Sequence, residues 1–77
     1  MGEVKFEIKK NVGPLGDSFK GWTKELNLVS WNERDAKLDI REWDEAHQKM
    51  KKGITFSKHE FLKLKEMING ISESEIA

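Results

Sequence analysis

Two alternating runs joined by four polar residues constrain this chain more than anything else in it. The runs are "WTKELNLVSW" (residues 22–31) and "KLDIREW" (37–43), with "NERD" (32–35) between them. Successive side chains of a strand point to opposite faces, so strict alternation predicts strands. A short polar link between two such strands predicts an antiparallel hairpin. Leu26 and Leu28 then share one face with Leu38 and Ile40, and this pattern assigns them to a core. Trp22, at the start of its strand, stands open between joining that core and binding. The other face collects Thr23, Glu25, Asn27, Val29 and Trp31 with Lys37, Asp39, Arg41 and Trp43.

The flanking segments extend this frame. "EVKFEIKKNV" (3–12) alternates with Val4, Phe6 and Ile8 on one side and Glu3, Lys5, Glu7 and Lys9 on the other, which predicts a first strand. "GPLGDS" supplies turn residues, and the loop from Gly13 to Gly21 is long for a hairpin. The third strand runs from about Ala36 to Trp43. "DEAHQKMKK" forms a polar connection, and Gly53 releases a short strand, "ITF" (54–56). Ser57 with Glu60 matches a capping box, and Phe61, Leu64, Ile68 and Ile71 recur at helical spacing. Asn69-Gly70 ends the helix, and "ISESEIA" reads as an acidic tail that frays. The expectation is one α+β domain over residues 1–77, with its core at about 3–71. Four antiparallel strands precede one C-terminal helix, and the second sheet face is left uncovered.

Seventy-seven residues bury only a thin core, so such a domain needs support. With no cysteine there is no disulfide, and His47 and His59 lack neighbouring ligands for a metal. No cofactor is expected. Self-association is left as the support. The sequence has neither a long apolar run nor a signal-peptide core, so a cytoplasmic location, open to association with the nucleoid, is expected. Fourteen Lys and Arg balance fourteen Asp and Glu. That neutrality counts against a general polyanion binder but leaves room for one basic face.

Enzyme readings are poor. Ser57 is accounted for as a helix cap, and no serine stands in a nucleophile relay with a histidine. Glu42, Asp44 and Glu45 could do acid–base work, yet a solvated strand end accounts for them better. "GPLG" lacks the helix and lysine of a phosphate loop.

The aromatic and basic face is more informative. Trp31 and Trp43 lie opposite the expected core, beside Asn27, Lys37 and Arg41, and Lys49, Lys51 and Lys52 cluster before the fourth strand. Bases of a single strand stack on aromatic rings, and lysine or arginine then follows the phosphates. Packing against a loop or a dimer mate is the competing account of each tryptophan.

"KLDIREW", "KMKKGITFS" and the helix "HEFLKLKEMI" together resemble the C-terminal domain of the transcriptional coactivator positive cofactor four. "FKGWTKELNLVSWN" leading into "DIREW" is similar to that family's bacterial YdbC-like branch. The resemblance covers roughly residues 4–71. It implies a ββββα homodimer joined through helices and sheet ends, with curved sheets that bind unpaired DNA in channels. By position it implies phosphate contacts for Lys24, Arg41 and Lys52 and aromatic contacts for Trp31 and Trp43. Lys20 and Trp22 of "FKGW", with Asn27, Lys37 and Lys51, complete the candidate set. A second aromatic expected after "IRE" is Asp44 here, and the hairpin is one residue longer. The basic, serine-rich arm of the eukaryotic coactivator has no counterpart in this sequence, so the binding core is implied and coactivation is not. The expected function is non-catalytic, sequence-tolerant binding of single-stranded DNA, with RNA left open, during transcription, replication or repair. No small-molecule substrate or membrane partner is expected. The alternative is a protein-interaction module anchored by Trp and Arg. A hydrolase using Glu42 or Glu45 ranks last.

Overall fold

The computed structural model describes residues 4–77, so Glu3 of the expected first strand lies outside the described residues. Strands β1 (Phe6–Pro14), β2 (Trp22–Trp31), β3 (Lys37–Asp44) and β4 (Ile54–Phe56) form one antiparallel sheet in sequence order. Helix α1 (Lys58–Asn69) follows, and this ββββα order is the one the sequence predicts. In the hairpin Leu26 pairs with Ile40 and Leu28 with Leu38, while Glu25 pairs with Arg41 and Asn27 with Asp39. The face-mates read from alternation are therefore correct.

The Leu26, Leu28, Leu38 and Ile40 face carries the helix, as alternation predicts, but the face expected to be uncovered is the more deeply buried one. The buried set is Glu25, Asn27, Val29, Asp39 and Trp43, all from the face expected to be open, with Ser30 added from the other side. Leu26, Leu28, Leu38 and Ile40 are only half-buried. Two irregularities in β1 accompany this. Its register against β2 slips between Ile8 and Lys10 and again between Asn11 and Gly13. Each extra residue bends the strand and increases its twist. The sheet curls, and Phe6 and Ile8, opposite Trp31 and Val29, turn into its concave side. We call this the inner face. A period of two shows which residues travel together, but curvature decides which set goes in.

The outer face carries α1, which touches β3 and β4 and neither β1 nor β2. The capping box is present: the Glu60 N–H donates to Ser57 Oγ at 3.1 Å, and the Ser57 N–H donates to Glu60 Oε1 at 2.9 Å. Gly70 closes the helix, its N–H donating to the Met67 carbonyl at 3.1 Å. No helix residue is fully buried, and Leu62, Met67 and Ile68 stay more than half exposed. Beyond the helix, Glu73–Glu75 form a single 3₁₀ turn whose own capping box joins Ser72 and Glu75. No helix is long and apolar enough to cross a membrane.

Candidate nucleic-acid interface

β3 sets Asp39 and Arg41 two residues apart on the inner face, and they clasp one another. Arg41 Nε and Nη2 each donate to one Asp39 oxygen at 2.7 Å, and Thr55 Oγ1 of β4 donates to Oδ2 at 2.8 Å. Asp39 is fully buried and the Arg41 side chain is 13% exposed. A two-pronged Arg–carboxylate pair fixes the plane of the guanidinium as well as its place. That plane lies 4.5 Å from the ring centroid of Trp31. Arg41 Nη1 also reaches the Lys51 carbonyl at 3.4 Å. The family resemblance implies a phosphate contact for Arg41; in the structure its charge is met by Asp39 and its guanidinium lies over the Trp31 ring.

Gly53 makes this crossing possible. A Cβ there would collide with Arg41 Cβ and the Ile40 carbonyl oxygen, so the strand leading into β4 passes against the backbone of β3.

The two inner-face tryptophans differ. Trp31, at the end of β2, is half-buried, with Phe6 6.1 Å away between ring centroids. Trp43 is fully buried, 5.1 Å from Phe6 and 5.8 Å from the His47 ring. Trp43 is therefore an interior residue, which corrects its expected place on an open face. Both indole N–H groups are buried without a hydrogen-bond partner among the described residues. Asn27 is corrected in the same way. It is fully buried, accepts from Asn11 Nδ2 at 2.8 Å and donates to Glu25 Oε1 at 3.2 Å. Glu25 also bonds Asn11 Nδ2 at 3.0 Å and His47 Nε2 at 2.8 Å. This polar knot draws on β1, β2 and the loop after β3. It escapes sequence reading because Glu25 and His47 lie 22 residues apart with no motif between them.

The remaining candidates divide between the two ends of β2. Lys37 is exposed at the start of β3, near the Trp31 end and on the inner face. At the other end, and on the outer face, stand Trp22 and Lys24, paired with Asp44 and Glu42. Lys51 Nζ lies 4.7 Å above the Trp22 ring and 3.7 Å from Glu42 Oε2. Lys20 sits in the turn before Trp22, and Lys52 is exposed beside Gly53. The ten candidates thus divide among cation–aromatic pairs at the two ends of β2, exposed lysines beside them, and the interior.

The loop between β3 and β4 is tied down by Asp44. Its Oδ1 accepts from the N–H groups of Lys49 at 2.8 Å and Gln48 at 2.9 Å. The Lys49 bond is the largest cause that holds this carboxyl below its ordinary value of 3.8. Among the described residues no three His, Asp or Glu side chains come together as a metal site.

Comparison with known proteins places this geometry in context. Residues 18–67 match the profile of the family described as Transcriptional Coactivator p15 (PC4). That stretch runs from the turn before β2 through most of α1, and so includes both cation–aromatic sites. An uncharacterized protein of Treponema pallidum (strain Nichols) is 40% identical over 67 residues, covering 87% of this chain and 79% of that protein.

Proposed function

Because the chain belongs to the Transcriptional Coactivator p15 (PC4) family, a transcription-related family of nucleic-acid-binding proteins, we propose that it binds single-stranded DNA as a non-catalytic homodimer. It acts where strands open during transcription, replication or repair. The observation that carries this reading is the pairing of a partly exposed tryptophan with cations at both ends of β2. Arg41 lies over Trp31 at 4.5 Å and Lys51 over Trp22 at 4.7 Å. The two rings are nine residues apart along an extended strand, roughly 30 Å. Trp31 and Trp22 offer surfaces to bases. Lys20, Lys24, Lys37, Lys51 and Lys52 follow phosphates, and Arg41 aligns Trp31. Trp43 and Asn27 belong to the framework.

The homodimer rests on the outer face. α1 and the sheet leave an open groove of about 390 Å³ lined by Leu26, Leu28, Leu38, Phe56 and Phe61. Ile54, Leu62, Met67, Ile68 and Ile71 stand more than half exposed around α1 and β4. An apolar surface of this extent on so small a domain supports an interface that a second copy covers symmetrically.

Titration of tryptophan fluorescence with an oligo-dT of about 20 nucleotides, a few binding-site lengths, tests the reading. Quenching by the single strand, weak response to matched duplex, and affinity falling steeply with salt are expected. No response to single-stranded DNA or RNA at low salt refutes it. Salt-insensitive binding to a protein instead favours an interaction module.

A further inference from the structure

We propose that Phe19 and Trp22 form a two-ring stacking platform at the β1–β2 hairpin tip, taking adjacent unpaired bases of a bound strand. This deepens the nucleic-acid reading above and rests on it.

The geometry begins with the turn. The Phe19 N–H donates to the Trp22 carbonyl at 2.7 Å, and the Trp22 N–H donates to the Phe19 carbonyl at 3.0 Å. Residues that exchange both bonds across an antiparallel pair stand directly opposite, with side chains on one face. Between them Lys20 has φ 52° and Gly21 has φ 83°. Positive φ at both central positions is a type I′ turn, the tight connection that matches strand twist. The two aromatic residues are thus held side by side by a rigid two-residue link.

Exposure and charge then select the ligand. Phe19 is 70% exposed, the most exposed large apolar side chain among the described residues. It lies at the β1–β2 end of the sheet, whereas α1 touches only β3 and β4, so the helix-side dimer face leaves it open. Lys20 Nζ lies 5.3 Å from the Phe19 ring centroid, and Lys51 Nζ lies 4.7 Å from that of Trp22. Lys24 follows on the exposed outer face. Asp17, Glu42, Asp44 and Glu45 are the acidic neighbours; Glu42 is engaged by Lys51 at 3.7 Å, and Asp44 Oδ1 by the N–H groups of Gln48 and Lys49. Asn and Gly occupy the left-handed positions of such turns at least cost, yet the first position here is lysine. The turn accepts that strain and gains a cation beside an exposed ring. Flat apolar faces with flanking ammonium groups suit nucleobases and their phosphates.

The test compares wild-type protein with Phe19→Ala, Phe19→Leu and Phe19→Trp. The readout is fluorescence anisotropy of labelled oligo-dT, with thermal melts alongside. Loss of one stacking contact weakens binding roughly 5-fold to 100-fold. Ala and Leu are both expected to show this loss at unchanged melting temperature, because Leu keeps apolar area but lacks a flat face. Phe19→Trp is expected to keep wild-type affinity, with added emission that the oligonucleotide quenches. That quenching reads the platform directly, whatever the Ala variant does to folding. If wild-type protein binds and Phe19→Ala binds equally well, or the added tryptophan is not quenched, the platform is overturned and the wider function stands. If wild-type protein binds no single strand, both fall together.

Discussion

Arg41 lies against the ring of Trp31 with its guanidinium 4.5 Å from the centroid, and buried Asp39 holds it there through two hydrogen bonds of 2.7 Å. Trp31 is therefore backed by an ion pair that solvent barely reaches. Removing one member of such a pair strands the other charge. Asp39→Ala is expected to cost about 3–5 kcal/mol of stability. Chemical denaturation measures it, and a loss no larger than that of a typical surface substitution would contradict the burial described here.

Trp31 and Trp43 are expected to separate by phenotype. Trp43→Ala removes a fully buried ring and should cost about 3–5 kcal/mol. Trp31→Ala, at a half-buried position, should weaken oligonucleotide binding more than it lowers the melting temperature. Melts and titrations of both variants decide between these roles, and the reverse pattern would exchange them.

Gly53→Ala places a methyl group against Arg41 Cβ and the Ile40 carbonyl, both close to backbone that cannot swing aside. Overpacking of this kind costs about 1–3 kcal/mol. Gly16→Ala is the control, since nothing lies within 4 Å of a Cβ there. Equal melting temperatures for the two variants would rule out the close crossing.

The helix cap titrates. Hydrogen bonds from the Ser57 backbone N–H, and next from its side chain, hold the Glu60 carboxyl below its ordinary value of 4.5. A carboxyl held low in the folded protein stabilises it above the ordinary value. That contribution disappears as pH falls through the lowered one. Helix circular dichroism should therefore weaken below about pH 4.5, and Glu60→Gln should flatten its share of the change. An identical acid limb in wild type and variant would remove Glu60 from the account.

Most of the architecture was legible because its signals are local. Alternation gave the hairpin and its face-mates, and Ser57 with Glu60 gave the start of the helix. Which face turns inward was not legible. It depends on two register slips in β1, at and just beyond Lys9, where the alternation read from Val4 to Lys9 ends. The candidate site was legible in residue type more than in place. Trp31 and Lys37 share the inner face, whereas Trp43 and Asn27 went inside and Trp22 and Lys24 stand with the leucines on the outer face. Phe19 left no periodic signal, because a two-residue turn outside the alternating runs sets its place.

The buried carboxylates change how the molecule meets its surroundings. Positive and negative side chains cancel in the sequence, and the isoelectric point is about 6.7. Yet Glu25 and Asp39 are spent on interior hydrogen bonds, where an approaching polyanion scarcely senses them. Asp39 takes the charge of Arg41 inside with it, so the surplus of cations on the exterior comes from Glu25. A cation-exchange or heparin column should therefore retain the folded protein more strongly than its isoelectric point foretells, and should lose that grip when the chain is denatured.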